Sequence, residues 1–443
     1  NLSGGNAASK TATSYATIAI VTANGLSASL ANNVYNNRME LSYRSFDLGG
    51  GDVTTGVWNT DFYYRGIDGK LMLPEGENPS CQIVLTEDTN GDDVLNWQDG
   101  ANALKTLVGD RIPGAETIRS SDIHVGYNFV SEAQQPFLKI ADNYKRFGNL
   151  IDGFDQILVF KGYANEGHDS GHADYADISK RGGGAEDLNT MADAIADAGL
   201  GIFGIHINHS EAYPEAEMFN DVTMSTKNGW KWMDQSKYIR REVDIMDEEG
   251  GMAARLDDMF EKAPGIKFVY VDTYRDDRFA AARLAQSLTG EHGVILGTED
   301  ASKLDRWVGW THGGSNSSTI HRFVYHTQKD VYGSSGNFWG GYNRATSMMS
   351  WQHNWNITTL VEAFYTNQLP QKYLMHHEVL RLDGGDAYFE GNIRTNNYQM
   401  WKDDKLMVGN GGYFIPWYDE DSTTKNPDDA DKIYYWNNNS GEA

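Results

Sequence analysis

Two carboxylates stand where short apolar runs end. Asp272 falls late in 267–274 (KFVYVDTY), and Glu299 closes 294–299 (VILGTE). A carboxylate at the end of a buried strand is costly unless it is solvated in a site or paired. Two of them, on strands separated by one helical stretch, can face each other across a pocket. A facing pair is what a glycosidase uses: one carboxylate attacks the anomeric carbon and the other protonates the leaving oxygen. The plainer alternative is that each acid pairs with a nearby arginine, such as Arg275 or Arg278.

Three further groupings carry chemistry. Glu166, His168, Asp169, His172 and Asp174 crowd into ANEGHDSGHADY. The H-x-x-x-H spacing there lies in a Gly-rich loop, not on a helix where i and i+4 would share a face, so sugar-hydroxyl contacts outweigh a metal site. His206 adds an imidazole on the next apolar run, 202–208 (IFGIHIN). Trp230 and Trp232 in GWKWMDQS lie two apart, so an extended segment turns both rings to one side, suited to stacking on sugar faces. Core packing is the ordinary fate of Trp, and Lys231 and Asp234 beside them tilt the balance to a cleft loop. Finally, Asp88, Asn90, Asp92, Val94, Asn96 and Asp99 fall at positions 1, 3, 5, 7, 9 and 12 of a calcium-loop pattern. Gly91 falls at position 4 instead of 6, and Asp stands for Glu at position 12. A structural Ca²⁺ is expected; the alternative is an Asp/Asn-rich turn without metal.

The elements that must position these groups change character along the chain. The first 85 residues read as β-structure, with β-branched runs at 17–22 and 82–85. After Pro113, apolar strands alternate with helical stretches, the pattern of parallel α/β architecture. The strands expected are 156–163, 202–208, 267–274 and 294–299. Between them run helices carrying Leu188, Met191 and Ile195, then Met252, Leu256, Met259 and Phe260, then Ala280, Leu284 and Leu288. Each strand ends in polar chemistry, which favours a (β/α)8 barrel over an open sheet, because a barrel gathers its βα-loops on one site. No GxGxxG or P-loop stands at a strand-to-helix turn, which weakens a nucleotide-binding reading. The last 60 residues return to turn-rich β sequence.

Composition bounds the function. The chain has 443 residues, and 37 Lys+Arg against 62 Asp+Glu give a net charge of −25. That field argues against a nucleic-acid or basic membrane-surface protein. One cysteine, Cys81, excludes an internal disulfide framework and a multi-Cys zinc site. No run is apolar enough to span a membrane, and no leader sequence follows Asn1, so the compartment is not read from the sequence directly. The 53 aromatics (12 Trp, 24 Tyr, 17 Phe) suit a carbohydrate-handling protein.

The strings VLTEDTNGDDVLNWQDGAN, FKGYANEGHDSGHADYADI, GGAEDLNTMADAIADAGLGIFGIHIN, GWKWMDQS, FVYVDTY, TQKD, KYLMHHEVL and YFIPW occur in the order seen in endo-α-N-acetylgalactosaminidases of glycoside hydrolase family 101, which the chain resembles from about residue 82 to 436. The resemblance implies a retaining enzyme that releases Galβ1-3GalNAc from Ser or Thr of mucin-type glycoproteins. It implies Asp272 as nucleophile and Glu299 as acid/base, with Asp169, His206, Trp230, Trp232 and Gln328 as sugar contacts and His168 beside them. It also implies a bacterial secreted or wall-attached protein. Two motifs depart from the family: Asp300-Ala301 follow Glu299 where the family reads Trp-Gly, and Thr327 precedes Gln328 where the family has His. The organisation expected is a partial β-sandwich with the calcium loop (1–112), a distorted (β/α)8 catalytic barrel (113–383) and the start of a β-domain (384–443). The rival readings are a non-catalytic glycan-binding module and an exo-acting α-galactoside hydrolase.

Overall fold

The computed structural model describes residues 18–32, 41–47, 53–59, 65–73, 78–108, 112–128, 135–220, 224–231, 234–272, 274, 278–299, 304, 306–312, 323–330, 346–347, 357–396 and 399–408. Eight parallel strands build its centre: β1 (Asp122–Tyr127), β2 (Gln156–Lys161), β3 (Gly201–Asn208), β4 (Ile266–Asp272), β5 (Ile295–Thr298), β6 (Val308–His312), β7 (Gln328–Asp330) and β8 (Thr346–Ser347). Their spatial order is 8-1-2-3-4-5-6-7, so the last strand returns beside the first, as in a (β/α)8 barrel. No β7–β8 pairing falls among the described residues, and the curled parallel sheet is a distorted barrel.

The helices form where the apolar stripe runs at helical spacing. α1 (Phe137–Leu150) buries Phe137, Ile140, Tyr144 and Phe147; α2 (Gly184–Asp197) buries Leu188, Met191 and Ile195; α3 (Met252–Lys262) buries Met252, Leu256 and Met259. α4 (Arg278–Ala285) continues into a wider π-helical turn at Gln286–Glu291, where Leu288 is still buried. Leu158, Phe160, Ile205, Ile207, Val269, Val271 and Leu296 of the strands face this helical layer. Their alternate neighbours Ile123, Val125, Ile157, Val159, Phe268, Tyr270 and Trp310 fill the barrel interior. The period of two therefore separates two cores. It also fixes that Lys161, His206, Asp272 and His312 turn toward the barrel axis.

Antiparallel sheets flank the barrel, and the sequence did not foretell how they meet. Strands Ile18–Ala23, Leu26–Asn32 and Cys81–Thr86 form one sheet, and five strands from Val379–Asp383 to Lys405–Val408 form another. The expected junction at 383/384 thus falls in the first hairpin of the C-terminal sheet, where Asp383 pairs with Asp386. Helix Trp97–Val108, inside a stretch expected to be β-sandwich, packs between the two sheets. Ala101, Leu104 and Val108 share one core with Ile20 and Ala31 on one side and Val379, Phe389 and Met400 on the other. Gln98 Nε2 and Asn102 Nδ2 donate to the carbonyls of Leu382 and Leu380 at 3.1 and 2.8 Å.

Candidate active site

The C-terminal ends of β2 to β5 open on a cleft of about 720 Å³, a size that suits a small saccharide. The loop after β2 supplies His168 and Asp169; the end of β3 supplies Asn208, followed by Ser210 and Glu211. Asp272 ends β4 and Glu299 directly follows β5. A hairpin outside the barrel, Met224–Lys231 and Gln235–Ile239, brings Trp230 and Tyr238, and Arg241 completes the lining.

The pairing of Val271 with Thr298 puts Asp272 and Glu299 at the same level on neighbouring parallel strands. Strands in a sheet lie about 4.8 Å apart, so the two carboxylates leave the barrel side by side. Below them His206, fully buried, sets Nε2 3.3 Å from Asp272 Oδ2 and stacks on Tyr270 with ring centroids 5.4 Å apart. Burial alone would raise the Asp272 carboxyl. The His206 contact and the positive charge of Lys161 outweigh it and hold the group well below the usual carboxylate range. Asp169 behaves oppositely: burial, then the charge of Asp272, pushes its carboxyl well above that range. The two shifts run in opposite directions, favouring the charged form at Asp272 and the neutral form at Asp169. Asp169 sits in a left-handed backbone conformation (φ 62°), and its Oδ2 lies 3.5 Å from His168 Nε2.

Burial keeps the surrounding imidazoles neutral. It lowers His168 and His206, and it takes His172 to about 3. His172 Nδ1 accepts the Asn208 amide at 2.8 Å and so ties the loop after β2 to the end of β3. Donor atoms of His168, Asp169, His206 and Asp272 all lie within 4.8 Å of one another, a grouping that would interest a metal ion. Here His206 Nε2 lies 3.3 Å from Asp272 and His168 Nε2 3.5 Å from Asp169, a compact polar floor beneath the cleft.

Other expected residues fall elsewhere. Glu166 points outward to Arg181 at 3.4 Å, and Asp174 accepts the Glu217 amide. Gln328 is buried on β7, where its Oε1 accepts from Lys372 Nζ, and it does not line the cleft. Trp230 is half exposed at the cleft, whereas Trp232 lies outside the described residues, as do Asp300 and Ala301.

In the expected calcium loop, Asp88 Oδ1 accepts the amides of Asn90 and Gly91, and Asp92 Oδ1 that of Val94. Asn96 Oδ1 accepts the Gln98 amide at 2.7 Å while Asp99 Oδ2 accepts the Asn96 amide at 2.8 Å, a capping box that starts helix Trp97–Val108. The donor set is all hard oxygen, the chemistry that Ca²⁺ takes.

The sequence reading passed over Glu211 and Lys161. Glu211 is buried at the cleft, where Oε2 accepts the Trp230 amide at 2.7 Å and the Ser236 hydroxyl, and so clamps the hairpin to the barrel. Its signal was an acid just past the apolar run of β3. Lys161 had a plainer one: a lone cation closing the apolar run 157–160 (ILVF).

The family model described as endo-alpha-N-acetylgalactosaminidase matches residues 98–361, more than half of the chain. A galactose mutarotase-like fold domain matches 4–97 and a glycosyl hydrolase 101 beta sandwich domain 367–443. A Renibacterium salmoninarum protein named "Putative endo-alpha-N-acetylgalactosaminidase" is 30% identical over 362 residues, 77% of this chain. The match covers 24% of that relative, so the chain spans about a quarter of its length. Among solved structures, the ligand-free alpha-N-acetylgalactosaminidase of Bifidobacterium bifidum superposes with TM-score 0.54 at 14% identity, over 88% of this chain and 74% of that one. Its GalNAc complex gives 0.52 at 15%, over 84% and 71%. These two likenesses are of fold.

Proposed function

The chain belongs to the endo-alpha-N-acetylgalactosaminidase family of glycoside hydrolases, family 101, and from that premise we propose that its barrel releases Galβ1-3GalNAc from Ser or Thr of mucin-type O-glycoproteins with retention of configuration. The observation that carries the mechanism is the level placement of Asp272 and Glu299 on β4 and β5, both at one cleft. Asp272, ionised, attacks the anomeric carbon of the GalNAc while Glu299 gives its proton to the departing Ser or Thr oxygen. Water activated by Glu299 then hydrolyses the glycosyl-enzyme and frees Asp272. Retention calls for carboxyl groups about 5–5.5 Å apart, against roughly 6.5–9.5 Å for inversion. His168 and protonated Asp169 hydrogen-bond sugar hydroxyls from the floor, and Trp230 covers the apolar sugar face. His206 orients the nucleophile from beneath.

The loop from Asp88 to Asp99 is proposed to bind a structural Ca²⁺ through Asp88, Asn90, Asp92, the Val94 carbonyl, Asn96 and Asp99. A substrate of that class supports a location outside the cell, secreted or wall-attached. No helix among the described residues is long and apolar enough to cross a membrane.

The test is incubation with an aryl α-glycoside of Galβ1-3GalNAc, with mass analysis of the sugar and NMR of its first-formed anomer. Intact disaccharide released as the α anomer, with turnover abolished in Asp272→Asn and glycan binding kept, is the expected result. Release of a monosaccharide would favour an exo-acting relative. Saturable binding without release would make the chain a glycan-binding module.

A further inference from the structure

One buried group beneath the cleft has no part in the reaction scheme above. Lys161 ends β2 with 5 % of its surface exposed. Alternation along the strand turns Ile157, Val159 and Lys161 to the barrel axis, while Leu158 and Phe160 face the helices. Pairing of Phe160 with Ile205 sets Lys161 beside His206, and on its other side it pairs with Tyr127. Its Nζ lies 4.8 Å from the centre of the Tyr270 ring, and Tyr270 precedes Asp272 by two residues on the same face of β4. Among the described residues, no carboxylate forms an ion pair with it within 4 Å. An ammonium taken out of water to the centre of a barrel is costly unless nearby negative charge compensates it.

The charge of Lys161 reaches both acids of the floor, Asp169 and Asp272, and also His168, His206 and His312. Every imidazole in that set is held neutral by burial, as is His172 in the loop after β2. Glu211 and Glu299 face Asp169 from the rim of the cleft. We propose that Lys161 is the fixed counter-charge of the Asp169–Asp272 pair, a positioning residue that keeps one of the two carboxylates ionised for attack. Two buried acids this close cannot both ionise, and without a cation burial favours the neutral form of each. With Lys161 below, the negative charge settles on Asp272, where His206 meets it, and the proton stays on Asp169. The proposal rests on the reading of Asp272 as the nucleophile.

Lys161→Met and Lys161→Arg test it, each compared with the unaltered chain by the pH profile of kcat/KM on the aryl disaccharide. Lys161→Met is expected to move the acid limb up by at least one pH unit and to lower kcat at pH 6 tenfold or more. KM changes less than threefold, and Lys161→Arg restores the limb. In parallel, the ¹³C signal of the Asp272 carboxyl, assigned by its loss in Asp272→Asn, reads protonation without any turnover. It is expected to stay ionised from pH 5 to 8 in the unaltered chain and in Lys161→Arg, and to titrate in that range in Lys161→Met. Should Lys161→Met fail to fold by circular dichroism, Lys161→Gln is read in the same way. An Asp272 titration and an acid limb that stay in place in the folded charge-free variant overturn the counter-charge. If the unaltered chain releases no sugar, the functional reading falls, and the carboxyl titration alone decides the role of Lys161.

Discussion

His206 and Glu211 do different work on the same cleft, and kinetics separates them. His206 holds Asp272 through one contact at 3.3 Å and lines no part of the cleft surface. A hydrogen bond to a charged group contributes about 1.5–3 kcal/mol. His206→Ala should therefore cost roughly ten- to hundredfold in kcat, with KM little changed. A KM effect that exceeds the kcat effect would place His206 in sugar binding instead. Glu211 accepts two donors of the hairpin that carries Trp230 and Tyr238. Glu211→Gln loosens that clamp, so KM should rise severalfold while the pH profile stays in place; a displaced profile would mean that its charge acts on Asp272. Asp272 and Glu299 were legible as cleft residues because a carboxylate closing an apolar strand is conspicuous. Glu211 and Lys161 were less so, since their meaning comes from what the folded chain sets beside them.

Strand and helix periodicity made most of the barrel legible: the expected strands at 202–208 and 294–299 are Gly201–Asn208 and Ile295–Thr298. The expected helix carrying Leu188, Met191 and Ile195 is Gly184–Asp197. Short or polar elements were not. β1 contains Asp122, His124 and Gly126, and β7 and β8 are three and two residues long, too brief to show a period. The loop after β2 depends on a glycine at its start. Gly162 has φ +82°, and a Cβ there would come within 1.9 Å of the Asn128 carbonyl oxygen, which also accepts the His168 amide at 2.9 Å. Gly162→Ala forces that backbone to move, and a non-glycine residue held in such a region costs on the order of 1–3 kcal/mol. We expect a lower melting temperature and a loss of activity larger than the stability change explains, because His168 and Asp169 ride on the displaced loop. Normal kinetics in a merely less stable Gly162→Ala protein would show that the loop re-forms around the change.

Over the whole molecule, helix Trp97–Val108 joins the two flanking sheets in one core and begins at the capping box that closes the expected calcium loop. Ca²⁺ bound there would be felt far beyond the loop: millimolar Ca²⁺ should raise the melting temperature by several degrees and Asp88→Ala should remove the response, whereas an identical melting curve in chelator would leave the loop a hydrogen-bonded turn. Proton binding acts on the same scale. Burial lowers His168, His172, His206, His209 and His312 in the folded chain, with His172 at about 3. Between the ordinary value of about 6.5 and these lower ones, the unfolded chain takes up protons that the folded chain refuses. Their stabilising contribution is complete above about pH 6.5 and is lost as the pH falls. Asp272, held low, adds a loss below about pH 4, while Asp169 and Asp174, held high by burial, work the other way against the five imidazoles. The melting temperature should therefore fall steadily from pH 7 to pH 4.5, before most surface carboxylates titrate. His172→Gln should flatten the slope, since it removes one of the five without adding a charge. A melting temperature level across that interval would mean that these imidazoles take up protons in the folded state, and the uncharged histidine surroundings of Asp272 would be lost.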